Sequence, residues 1–191
     1  MNKSNSLVLL ITSLILFCSC GQPVSHDKEV GYYVAIATEM NNTTAMVNAF
    51  WHQTLEAATA AQQNQNMKLD SSYMDTLYKS YQISTLALSK SIDRLSLIPE
   101  IDQNINLKER TLAHLKDTRK LQESALPDVL KVLTTGLGNL TDTERESFKE
   151  FQSRGGELLA AAAELEKLFL DFQNEHQITS EDLGRYGLKY P

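Results

Sequence analysis

The chain has 191 residues, 42% of them hydrophobic and 22% charged, and its 18 basic and 24 acidic side chains give a formal charge of −6. An acidic surface gains no attraction from nucleic acid or anionic headgroups, which sets DNA and RNA aside as partners. The only two cysteines are Cys18 and Cys20, so beyond residue 20 there is no disulfide, thiol nucleophile or thiolate metal site.

Lys3 gives the chain a positive start, and Leu7 to Phe17 follow as an apolar stretch. Crossing a bilayer takes about 20 apolar residues, so this stretch suits the core of an export signal and is too short for a stable span. The next residues, Leu16-Phe17-Cys18-Ser19-Cys20, resemble the lipobox of bacterial lipoproteins. Small Ser19 fits that pattern, whereas Phe17 stands where leucine is usual. The resemblance implies cleavage before Cys20, a diacylglycerol on its thiol, acylation of its amine, and attachment to the cell envelope, with the outer membrane as the expected site. Two or more acyl chains, each contributing about 0.8 kcal/mol per buried CH₂, give stable anchoring. The alternative is an ordinary secretory signal with Cys20 left as a thiol.

The expected organisation is a signal peptide over 1–19, a tether over 20–27 and one helical domain over 28–191. Loss of Lys3 with the signal leaves 17 basic and 24 acidic side chains, a formal charge of −7. A domain of about 170 residues is large enough to be stabilised by its own core.

From residue 28 onward helical periodicity dominates. Val30, Val34, Ala37, Met40, Thr44, Val47, Trp51, Leu55, Ala58 and Ala61 recur at steps of three and four, predicting a helix over about 28–65. A second helix is expected from near Ser72, whose spacing to Asp75 matches a capping box, to Pro99. The third should start at Glu100 or Asp102, carry Ile105, Leu112, Leu115, Leu126, Val129 and Leu133, and end before Gly136. Thr141 and Glu144 form another capping box, opening a fourth helix that ends near Glu175, and Thr179 with Asp182 marks a short last turn. The predicted fold is all-α, an antiparallel up-down-up-down four-helix bundle of long helices with a short C-terminal helical turn. Such topology puts both chain ends beside the Ile98-Pro99 turn, with Tyr32, Tyr33, Tyr186 and Tyr190 either at a membrane interface or covering the end of the core.

Pro127 lies about 12 residues before the third turn and Gly155-Gly156 about 14 after it, so both irregularities should share one level of the bundle. Counting similarly around the first turn brings Trp51, His52, Tyr81 and Ser84 to that level, roughly 20 Å from the turns at 1.5 Å per residue. This layer of Trp51, His52, Tyr81, Ser84, Gly155 and Gly156 is the candidate pocket, the alternative being that the glycines only make room for Trp51.

Familiar chemistries are not written in the chain. None of His26, His52, His114 and His176 has Glu three residues before it, as a di-iron bundle requires. There is no His-Glu-x-x-His, Walker loop or dinucleotide fingerprint. Asp142, Glu144, Glu146 and Glu150 suit the helix dipole rather than a metal. No catalytic residue, metal or cofactor is therefore expected. The residues Asp75-Thr76-Leu77 resemble the O-glycosylation signal of exported proteins in Bacteroides-like bacteria.

Three roles stay open: an anchored module that docks an envelope protein or binds a small-molecule ligand, a passive structural lipoprotein, and an enzyme with a site between helices. The first is the expected one.

Overall fold

The structure is a computed structural model and describes residues 24–63, 69–135 and 139–188. Cys20, the apolar stretch Leu7 to Phe17 expected to serve export, Tyr190 and Gly136 lie outside the described residues. The described chain is all-helical: α1 (His26–Gln63), α2 (Ser71–Leu97), α3 (Leu107–Thr135), α4 (Asp142–Glu175) and the short α5 (Ser180–Arg185).

Side-chain acceptors decide where the helices begin. The Ser72–Asp75 capping box is not used; Asp70 caps α2 instead, accepting from the Tyr73 N–H at 2.7 Å. A carboxylate is the stronger acceptor there because it also meets the positive end of the helix dipole. The third helix likewise starts at Leu107, later than Glu100 or Asp102. The Asp102 carboxylate takes the N–H groups of Asn104 at 2.7 Å and Ile105 at 3.1 Å, and Asn106 adopts a left-handed φ of 53°. That closes a tight turn before the helix can run, and it leaves Ile105 in the turn. The Thr141–Glu144 and Thr179–Asp182 capping boxes are both formed. Lys131 beside Glu144, with the Thr141 bonds, holds the Glu144 carboxyl at about 2.

Along the chain α1 packs on α2, α2 on α3, and α3 on α4, while α1 also approaches α3 and α5. The α1–α2 register is fixed by polar pairs: the Tyr73 hydroxyl donates to the Gln53 carbonyl, Thr43 to Ser91 at 2.7 Å, and Arg94 to Glu39 at 2.9 Å. Two apolar clusters result. One gathers Ile36, Leu95, Leu107, Leu165, Phe172 and Leu183 near the start of α1; the other gathers Phe50, Ala57, Leu77, Val129 and Leu133 near the α1–α2 connection. Buried polar side chains, among them Thr43, Ser91, Ser84 and Gln122, interrupt this core.

The buried face of α1 keeps Val30, Ala37 and Val47 of the predicted stripe and widens to residues beside it. Ile36, Thr43, Phe50, Thr54 and Ala57 are buried, whereas Leu55 is 68% exposed and Trp51 only partly covered. An apolar stripe broad enough for two neighbours has two edges: one meets α2 and α3, and the other faces α4.

Tyr32 and Tyr33 belong to the core, while Tyr186 is exposed. The Tyr32 hydroxyl donates to Glu100 and accepts from the Lys108 N–H at 3.1 Å; burial first, then Glu100, push its pKa up.

Carboxylates and imidazoles alternate where the start of α1 meets α5, in the order Asp182, His26, Glu29, His176, Asp102. The separations along this row are 3.4, 3.8, 3.1 and 2.9 Å, and the row joins α5, α1, the end of α4 and the α2–α3 turn. His176 also lies on the Phe172 ring, with centroids 4.1 Å apart. Burial alone would lower the His176 pKa, but the hydrogen bonds to Asp102 and Glu29 outweigh it and the net shift is upward. For Asp102 burial would raise the pKa, and the His176 bond with the Ile105 and Asn104 N–H groups brings it down. A raised histidine pKa adds stability that is complete below the ordinary value of 6.5 and fades as pH rises through the folded value. The thermal unfolding midpoint of the native protein should therefore fall as pH rises above 6.5, and His176→Gln should flatten that fall. A native midpoint independent of pH across this window would refute the linkage.

Candidate functional site: a groove between three helices

Helices α1 and α4 touch through rings. Trp51 meets Phe151 with centroids 5.0 Å apart, and Tyr33 meets Phe169 edge-on at 5.6 Å and Phe172 at 6.1 Å. Between these contacts α4 carries Gly155, Gly156 and Ala162, too small to reach across, together with Leu158 and the exposed Leu159. A Cβ built on either glycine would meet nothing within 4 Å. The glycines are therefore not needed to admit Trp51, and the space beside them is open.

That space is a groove of about 580 Å³, within the range of small-molecule sites. One wall is Met40, Thr43, Val47 and Trp51 of α1; the floor is His114, Leu115, Thr118 and Leu121 of α3. Gly155, Leu158, Leu159 and Ala162 form the other wall. Leu55 and Leu159 at the mouth are 68% and 75% exposed, an unusual placement for leucines unless the surface between them is to be covered.

The lining holds no Lys, Arg, Asp or Glu, and His114 is its single titratable group. Burial pushes the His114 pKa down, with Asp117 partly opposing, so the imidazole is neutral at pH 7. Its Nδ1 is buried without a hydrogen-bond partner. Leaving such an atom unpaired costs about 1–3 kcal/mol. Below the floor, Gln122 donates to Ser84, to Thr85 at 3.2 Å and to the Tyr81 carbonyl at 3.4 Å, while its own Oε1 is also unpaired.

Of the six residues predicted to share a layer, Trp51, Gly155 and Gly156 line the groove together. His52 does not: it is exposed and faces Glu56 at 3.5 Å on the outer side of α1. Tyr81 stands behind Trp51, reaching it only through Phe50, whose ring is 5.9 Å away. Ser84 is fully buried in the α2–α3 contact. His114, Thr118 and Phe151 were missing from that layer. The signal for His114 and Thr118 is the run Thr111, His114, Leu115, Thr118, Leu121, Gln122, a helical stripe in which polar groups replace aliphatic ones.

Among the described residues no group of His, Cys, Asp and Glu is arranged to hold a metal ion. None of the described helices is long and apolar enough to cross a membrane. Comparison with protein-family models, curated proteins and solved structures finds no match. Gly155→Ala should raise stability by about 0.5–1 kcal/mol in denaturant unfolding, since alanine stiffens a helix interior and its methyl has room. A loss of stability would mean the groove is closed at that level.

Proposed function

We propose that this protein is a lipid-anchored module of the bacterial envelope that binds an apolar small molecule between α1, α3 and α4. We read its architecture as an antiparallel up-down-up-down four-helix bundle with a short C-terminal helical turn. The pairings favour that arrangement: Gln53 with Tyr73 but Glu39 with Arg94, and Trp51 with Phe151 but Tyr33 with Phe172. Envelope attachment rests on the export segment and Cys20, six residues before α1 begins.

One observation carries the binding reading, an apolar groove of about 580 Å³ left open in the middle of the helices. Mostly apolar walls with a few polar groups are what small-molecule sites share. Catalysis fits less well, because general acid–base or nucleophilic work needs a partner that orients the reacting group, and His114 has no titratable neighbour in the lining.

N-phenyl-1-naphthylamine, a neutral dye that brightens in apolar surroundings, should bind saturably and quench Trp51. Ala162→Trp, which fills the groove, should abolish that signal while helicity is kept. A linear, unsaturable signal, or equal binding by the filled variant, would refute the reading. In detergent phase partitioning the native protein should enter the detergent phase and Cys20→Ser the aqueous phase; identical behaviour of the two would remove the anchor.

A further inference from the structure

We propose, building on the groove reading, that the occupant is a neutral single-chain amphiphile, its hydrocarbon chain lying along the groove and its uncharged hydrogen-bonding head at His114 Nδ1. Shape is the first argument. The lining runs from Met40 to Leu55 on α1, about 22 Å at 1.5 Å per residue, and from Phe151 to Ala162 on α4, about 17 Å. A slot of that length, with Gly155 and Gly156 thinning one stretch of its α4 wall, suits one extended alkyl chain better than a compact ring system.

Charge is the second argument. With no cationic or anionic side chain in the lining, an ionised head inside the groove would lose its water and gain no counter-charge. A fatty-acid carboxylate or a quaternary ammonium is disfavoured on the same ground, and a hydroxyl, ester or amide is not.

The head is placed by elimination among the buried hydroxyls of the lining. Thr43 donates to Ser91 at 2.7 Å, Thr54 to the Phe50 carbonyl at 2.9 Å and Thr118 to the His114 carbonyl at 2.8 Å, so all three donors are already used. His114 also lines the groove, and its buried Nδ1 lacks a partner. An incoming hydroxyl or amide would supply one, and the neutral imidazole serves as donor or acceptor according to its tautomer.

The test uses the full chain carrying Cys20→Ser, which keeps anchor acyl chains out of the assay. Displacement of bound N-phenyl-1-naphthylamine is measured with 1-decanol, decanoate and decyltrimethylammonium at pH 8, all below their aggregation limits. The expected result is that 1-decanol displaces the dye at a concentration roughly tenfold or more below either ion. His114→Leu should weaken 1-decanol about fivefold or more with dye binding unchanged, and His114→Asn, which returns a polar atom near the Nδ1 position, should recover part of the loss. Equal displacement by decanoate or by the ammonium overturns the neutral class while the groove reading stands. Unchanged 1-decanol binding in His114→Leu overturns the placement of the head. Absence of dye binding to the unsubstituted groove overturns the groove reading itself, and this proposal with it.

Discussion

The separation of α1 from α4 is set by ring contacts, and the groove depends on them. Trp51–Phe151 and Tyr33–Phe169 lie eighteen residues apart on each helix, about 27 Å, so they act as two spacers of matched pitch. Between them α4 offers Gly155, Gly156 and a run of alanines over 160–163, with leucines only at 158, 159, 165 and 168. Rings hold the backbones apart and small residues decline to fill the gap, so an open slot follows from side-chain volume alone. Phe50, fully buried behind Trp51, backs the first spacer, and Phe172 backs the second.

The floor of the slot carries a second constraint. A core that continued unbroken through this level would be apolar; here Thr43, Ser91, Ser84, Thr118 and Gln122 cross it. Most of their donors are satisfied internally, which fixes helix register as apolar contacts do not. Among the described residues two buried side-chain atoms, His114 Nδ1 and Gln122 Oε1, are left over. Native cores hold few such atoms, so an unpaired one beside an open groove is a reason to look for a bound group. The row of carboxylates and imidazoles where α1 starts beside α5 does the opposite kind of work. It ties four segments together by charge at one end, far from the slot, and leaves the middle free to be underpacked.

Helix number, order and the later capping boxes were legible in the sequence because periodicity and cap chemistry are local. Thr141–Glu144 and Thr179–Asp182 form as their spacing indicates. The start of α3 was not legible: Asp102 has the same sequence signature whether it caps a helix or closes a turn, and only the left-handed Asn106 decides. Of the site, Trp51, Gly155 and Gly156 were reachable by counting residues from the turns. His52 was not, since adjacent positions on a helix point about 100° apart and counting fixes height alone. The same ambiguity exchanged Phe50 and Trp51 between core and groove. His114 escaped for another reason, because a buried histidine without a partner is a property of its surroundings.

The claim that aromatic spacers keep the slot open is tested most directly by the distance between spin labels at exposed Ala45 of α1 and Ala160 of α4, with Cys18 and Cys20 replaced. The account predicts one narrow distance distribution that shortens when Trp51→Ala and Phe151→Ala remove the spacer. An unchanged distance in that double variant would contradict it.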